Sequence, residues 1–257
     1  MKIIIRNCNV AELDIPLKYA TKLYNEFAIR HPNAFYLRTR QRGMQNWDGK
    51  IKYITKTGQF KIGLLPSVYK RCIELGIKPI IVDMRQPLPK VSKVVTQIGK
   101  YKLRPEQEKA VKAILSNKLG ETPFQIGVLD YTVNAGKTLI MSALYLSYKK
   151  QLKTLLITND SDWLNQARDE FKQYLPGEDI TFVQGKVLNW SNFTIGMVQS
   201  ISRNMKYYQN ELAKIDMVLI DEADQGGSKQ YQNVITRLFN TRVRIGLSGT
   251  IYMSKLA

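Results

Sequence analysis

Two different apolar rhythms divide the chain. From residue 102 onward, short and almost uninterrupted apolar runs alternate with longer amphipathic stretches. Apolar runs bounded by turn formers predict strands covered on both faces, while apolar residues three and four apart predict helices. The reading is helix 105–117, strand 125–130, helix 137–149, strand 153–158, helix 161–174, strands 180–183, 193–198 and 216–221, helix 229–239 and strand 242–248. Such alternation predicts an α/β domain with a mostly parallel, doubly wound sheet. Before residue 84 the elements are shorter and more mixed. A strand at 2–7 precedes a helix at 16–31, with Pro16 in its first turn and Leu17, Ala20, Leu23, Tyr24 and Phe27 at helical spacing. Segments 50–56 and 59–64 read as a hairpin around Thr57-Gly58, followed by a helix at 67–75 stopped by Gly76 and a strand at 78–83. The order β-α-β-β-α-β predicts a small α+β domain compatible with a ferredoxin-like sandwich. Residues 84–100, with Pro87, Pro89, Ser92 and Gly99, read as a linker between domains at 1–83 and 101–257.

Composition narrows the function classes. At 257 residues, with 44% hydrophobic and 10% aromatic content, the chain can bury a sizeable core and is not of disordered type. Ile3-Ile4-Ile5 is too short for a signal peptide and no run is long enough to span a membrane, so a soluble, cytoplasmic protein is expected. Two cysteines, Cys8 and Cys72, and one histidine, His31, exclude a disulfide framework and a zinc cluster. The net charge of +18 implies a polyanionic partner more readily than a small substrate. Residues 1–100 hold 19 basic against 6 acidic residues, a surplus of 13, whereas 101–257 hold 20 against 15, a surplus of 5. The basic excess therefore lies mostly in the N-terminal part, where the segment 38–50 carries Arg38, Arg40, Arg42 and Lys50 among Gly43, Asn46 and Trp47. Spaced Arg, flexible backbone and one aromatic are suited to phosphates and stacked bases; the alternative is a solvated basic turn with Trp47 tucked into the core.

Two elements carry chemistry. Gly136-Lys137-Thr138, preceded by Asn134 and Ala135, lies between the predicted strand 125–130 and the predicted helix 137–149. That context makes a phosphate-binding loop: main-chain N–H groups at the helix start meet phosphate oxygens, Lys137 reaches the terminal phosphates, and the Thr138 hydroxyl ligates Mg²⁺. The second is Asp221-Glu222-Ala223-Asp224 after the apolar run Val218-Leu219-Ile220. Asp221 at a strand end can hold Mg²⁺, and Glu222 can orient or deprotonate an attacking water. Together they read as an ATP-hydrolysing site using Mg²⁺.

The rest of the chain resembles the superfamily II helicases and translocases. Leu103-Arg104-Pro105-Glu106-Gln107 is similar to the element that precedes the phosphate loop, in which the resemblance makes Gln107 an adenine reader and Arg104 its neighbour. Leu155 to Asp160, followed by Trp163-Leu164 and Gln166, and then Gly196-Met197-Val198-Gln199-Ser200, resemble the strand-end motifs that contact a nucleic-acid backbone. Leu247-Ser248-Gly249-Thr250 resembles the motif that couples hydrolysis to movement, with Asp224 linking it to the acidic element. Tyr131 stands where the loop's first glycine is usual, Val133 where threonine is usual and Asn159 where proline is usual. Asn46-Trp47-Asp48-Gly49-Lys50, with Gly63-Leu64-Leu65 further on, resembles the N-terminal domain of the phage UvsW-like helicases. The resemblance implies a first RecA-like domain acting with DNA, duplex or branched, or with RNA-DNA hybrids, in recombination and repair, encoded by a phage in a bacterial host.

Motors of this superfamily need a second RecA-like domain, whose arginines complete the ATP site. The sequence ends soon after Ser248-Gly249-Thr250 and holds no such domain, so slow hydrolysis by this chain alone is expected, along with a second chain as partner or a longer parent protein. Two alternatives remain at this point: a DNA-binding regulatory module that binds ATP without efficient hydrolysis, and another motor of the superfamily, such as a restriction translocase subunit or an RNA helicase.

Overall fold

The computed structural model describes residues 1–40, 43–91, 93–131, 136–185 and 190–249. Arg42, Asn134, Ala135 and Thr250, named above as candidates, lie outside the described residues. The chain forms two compact units, Met1–Arg85 and Gln86–Ala257.

In the first unit β1 (Lys2–Ile5) and β2 (Val10–Asp14) form an antiparallel hairpin. The turn between them was not anticipated: the Asn7 side-chain oxygen accepts from the N–H groups of Asn9 and Val10 at 2.8 and 3.0 Å, an Asx turn that reverses the chain without glycine. Helix α1 (Leu17–Glu26) ends earlier than expected, because Ala28–Arg30 becomes strand β3 and pairs with β4 (Lys50–Lys52). Between them lies helix α2 (Ala34–Arg40), so Arg38 and Arg40 stand on a helix and not on a loop. Strand β5 (Gln59–Lys61) pairs with β2 and meets the segment before it at the Ile54–Phe60 bridge and through two hydrogen bonds between Thr55 and Gln59, so the hairpin read at 50–64 closes only around its turn. After a 3₁₀ turn, helix α3 (Leu65–Glu74) leads to β6 (Ile80–Asp83), which runs parallel to β1. The sheet order is β5-β2-β1-β6. The unit is α+β as expected, but the additional strands replace the β-α-β-β-α-β order and with it the ferredoxin-like sandwich. Ile3 and Ile5 from β1, Ala11 from β2, and Leu65, Val68 and Cys72 from α3 are fully buried, following the period-two and helical spacings of their elements.

The second unit opens with the ribbon β7 (Gln97–Ile98) and β8 (Tyr101–Lys102), then α4 (Pro105–Ser116) and the short pair β9 (Lys118–Leu119) and β10 (Thr122–Pro123). Strands β11 (Ile126–Asp130), β12 (Thr154–Thr158), β13 (Ile180–Val183), β14 (Phe193–Met197), β15 (Met217–Asp221) and β16 (Val243–Ser248) alternate with α5 (Lys137–Ser147), α6 (Ser161–Tyr174), α7 (Val198–Arg203), α8 (Met205–Leu212) and α9 (Lys229–Ile235). All six strands are parallel, in the order β11-β16-β15-β12-β14-β13, as in a RecA-like sheet. Continuous apolar strands follow from coverage on both faces. Leu156 and Leu219 pack with Val111, Ile140, Leu164 and Phe171 of α4, α5 and α6, while Leu155, Ile157 and Val218 pack with Val198, Ile201, Leu212 and Val234 of α7, α8 and α9. The segment read as a linker adheres to this unit: Leu88, Val91, Val94 and Val95 pack on the first of these clusters, and the Val95 N–H donates to Ser147 Oγ at 3.0 Å.

Candidate nucleotide site and nucleic-acid faces

The carboxyl ends of β11, β15 and β16 bring the chemical candidates together, at the sheet edge where open α/β folds bind ligands. Gly136 caps α5 with φ +82°, a left-handed conformation that favours glycine. A second constraint acts on the same residue: a Cβ there would stand 2.4 Å from Gln107 Nε2. Gln107 is 2% exposed and its Oε1 accepts from the Arg104 N–H at 2.9 Å, so its amide lies against the phosphate-loop end while its carbonyl closes the start of α4. Thr138 and Lys137 are buried in the first turn of α5, where N–H groups without helical partners and the helix dipole favour an anion.

Lys137 Nζ lies 3.1 Å from Glu222 Oε1 and 3.6 Å from Asp221 Oδ1. Asp221 ends β15 and is only 2% exposed. Burial pushes its carboxyl pKa up; Lys137 pulls the other way and the neighbouring Glu222 charge adds to the rise. Among the described residues its buried Oδ1 has no hydrogen-bond partner and faces the Lys137 ammonium at 3.6 Å. That oxygen, with the Thr138 hydroxyl, fits a hard divalent cation such as Mg²⁺, which takes few protein ligands and fills its shell with water and phosphate oxygens. Glu222 adopts φ +51°, ψ +54°, a left-handed backbone that costs a residue with a side chain on the order of 1–2 kcal/mol. This turns the carboxylate toward Lys137 while Ala223–Gly227 coils into a 3₁₀ turn. Within it Asp224 Oδ1 accepts from the fully buried Ser248 hydroxyl at 2.9 Å, joining the end of β15 to the end of β16. Gly246 makes room for this turn: a Cβ on it would stand 2.6 Å from Ala223 Cβ.

Comparison with known proteins fits this geometry. Residues 100–253, more than half of the chain, match the family model described as type III restriction enzyme, res subunit. The chain belongs to this family. It is a superfamily II helicase domain of UvsW-like kind. The ATP-dependent DNA helicase UvsW of Enterobacteria phage T4 is 24% identical over 227 residues, covering 80% of this chain and 43% of that protein. A protein of Acanthamoeba polyphaga mimivirus named as an ATP-dependent RNA helicase is 26% identical over 147 residues, covering 57% of this chain and 27% of its own length. The chain thus spans less than half the length of these curated relatives. A crystal structure of the T4 UvsW helicase superposes with a TM-score of 0.75 at 21% identity, covering 100% of this chain and 95% of that one. A second T4 UvsW structure gives 0.74 at 21% identity, covering 98% and 53%.

The helicase chain places the nucleic-acid candidates in several settings. Gln166 is exposed on α6, with its Nε2 donating to Glu170 at 3.0 Å. Gln199, in the first turn of α7, donates from Nε2 to the Asn159 carbonyl at 3.3 Å, and its buried Oε1 has no hydrogen-bond partner. On the N-terminal unit Arg38, Arg40, Asn46 and Lys50 are all exposed. Trp47 is half-buried: its Nε1–H donates to the Lys50 carbonyl at 3.0 Å and its ring meets His31 edge-on at 5.7 Å, so it fastens the segment before β4 and is not a free stacking platform. Among the described residues of this unit the two most exposed aromatics are instead Phe35 (80%) and Tyr36 (52%) on α2, with the Arg40 guanidinium 4.7 Å from the centre of the Tyr36 ring. Sequence reading passed over both; the signal was a pair of adjacent aromatics beside the arginine series it did single out.

Proposed function

We propose that this chain is the nucleotide-binding, N-terminal portion of an ATP-dependent DNA helicase or branch-migrating translocase that acts on branched DNA or R-loops in recombination and repair. The observation that carries the reading is the Lys137 ammonium held between Asp221 and Glu222 at the start of α5. The two acids neutralise the lysine; a triphosphate entering at the α5 N-terminus offers the lysine its oxygens and leaves the acids for metal and water. Lys137 and the main chain at Gly136 hold the phosphates, Thr138 and Asp221 hold Mg²⁺, and Glu222 accepts the proton of the attacking water. Mg²⁺ when bound neutralises charge that develops on the phosphate oxygens. Gln107 and Arg104 border the nucleotide, and Asp224 with Ser248 links the acidic turn to β16, the route by which turnover reaches the nucleic acid. DNA is gripped by the basic N-terminal unit through Arg38, Arg40 and Lys50, with Phe35 and Tyr36 offering ring faces to unpaired bases. A second RecA-like domain, in the same parent protein or a second chain, supplies the arginines that complete catalysis.

The test is ATP binding and hydrolysis by this chain, with and without forked DNA, beside Lys137→Ala and Glu222→Gln. Mg-ATP binding that Lys137→Ala removes, with turnover that Glu222→Gln removes, is the expected result; absence of Mg-ATP binding would refute it. The similarity to a protein named as an RNA helicase favours a second reading, in which RNA is the substrate. RNA-stimulated turnover without DNA stimulation selects it.

A further inference from the structure

The turn after Glu222 is fastened on a second side, away from the nucleotide chemistry. The Gln225 N–H donates to the Glu222 carbonyl at 3.0 Å, so Gln225 and the main chain of Glu222 move as one piece. Gln225 Oε1 accepts from Asn159 Nδ2 at 2.5 Å. Asn159 lies one residue beyond β12, and its carbonyl accepts from Gln199 Nε2 at the start of α7, directly after β14. Three carboxamides thus bridge the ends of β12, β14 and β15, and these bonds join residues 66 and 40 positions apart. The Gln199 amide has its other end, Oε1, buried without a hydrogen-bond partner.

We infer that Gln225 is a positioning residue, which transmits occupancy of the β12 and β14 strand ends by nucleic acid to Glu222 through its bond to Asn159. The inference rests on the reading of the site as an ATPase that acts on nucleic acid. A polynucleotide seated on these strand ends displaces the segment at Asn159; Gln225 follows its partner, and Glu222, whose backbone sits in a strained left-handed well, is carried with it. Reciprocity follows: nucleotide bound at Glu222 changes affinity for nucleic acid by the same factor.

The experiment measures that factor on the full 257-residue chain, as the ratio of affinities for a labelled forked DNA without and with a non-hydrolysed Mg-ATP analogue. Gln225→Met matches the side-chain length and removes the acceptor. It is expected to move the ratio toward one by about two- to tenfold, the range carried by one hydrogen bond between neutral groups, and to leave the analogue's affinity without DNA unchanged. Gln225→Glu keeps an acceptor for Asn159 and retains the ratio, since any loss from its charge weakens DNA binding with and without nucleotide alike. Adding Asn159→Leu to Gln225→Met causes no further loss, because the two share one contact. An unmodified chain with a ratio of one, an unchanged ratio in Gln225→Met, or simple additivity in the double variant would each overturn the inference and leave the ATPase reading standing. Failure of every variant and of the unmodified chain to bind the analogue would overturn both.

Discussion

Gly136→Ala tests the geometry of the phosphate loop without touching a charged group. Alanine at φ +82° carries a left-handed penalty of roughly 1–2 kcal/mol. Its Cβ would also stand 2.4 Å from Gln107 Nε2. A side-chain tip usually swings away cheaply, but Gln107 is 2% exposed and holds the Arg104 N–H through Oε1 at 2.9 Å, so moving it forfeits about 0.5–1.5 kcal/mol of hydrogen bonding. The sum is about 1.5–3.5 kcal/mol. For a unit of this size each kcal/mol shifts Tm by about 2–4 °C, so a drop of roughly 3–14 °C is expected in thermal unfolding followed by circular dichroism. Gln107→Ala alone costs about 1 kcal/mol, and because it clears the space the new methyl needs, the double variant is expected to lose about 1 kcal/mol less than the two single losses added together. A Tm for Gly136→Ala within a degree of the unmodified chain, or strict additivity in the double variant, would refute the reasoning.

Five further outcomes are expected. Because the Asp221 pKa is raised in the folded chain, chiefly by burial, the folded state binds more protons than the unfolded state between the ordinary carboxylate value and the raised one. The stability of the nucleotide-free chain therefore declines as pH rises through that window, and chemical denaturation across pH is expected to show Asp221→Asn lacking this decline. Mg-dependent ATP binding has the opposite dependence, weakening as pH falls through the raised pKa; calorimetric titrations that stay flat down to the ordinary carboxylate range would exclude Asp221 as the metal ligand. On the N-terminal unit, Phe35→Ala is expected to weaken forked-DNA binding by about 1–3 kcal/mol with Tm unchanged, and Arg38→Ala to reduce the salt slope by about 1, both read by fluorescence anisotropy. Trp47→Ala, in contrast, is expected to lower Tm, because it removes the indole bond to Lys50 and the contact with His31.

What was legible in the sequence is what local chemistry specifies. Lys137, Thr138, Asp221 and Glu222 could be placed because each sits where an apolar strand gives way to a turn or helix, and β-strands covered on both faces have no polar alternation to confuse them. The N-terminal unit resisted for the opposite reason: its strands run from three to five residues, its first turn is made by the Asn7 side chain instead of glycine, and β3 pairs with a strand twenty residues on, so no window of sequence contains both partners. The bridge from Gln199 through Asn159 to Gln225 was equally invisible, since an amide pair far apart in the chain leaves no periodic signal. These blind spots are informative about the site itself. Glu222 in a left-handed conformation and Asp221 with a buried oxygen that has no hydrogen-bond partner are local costs that the flanking sequence does nothing to relieve. They persist because α4, α5 and α6 on one face and α7, α8 and α9 on the other clamp the strand ends that carry them. A divalent cation held by Asp221 would give its buried oxygen a partner, so part of the metal's binding free energy would come from a desolvation cost already present in the fold.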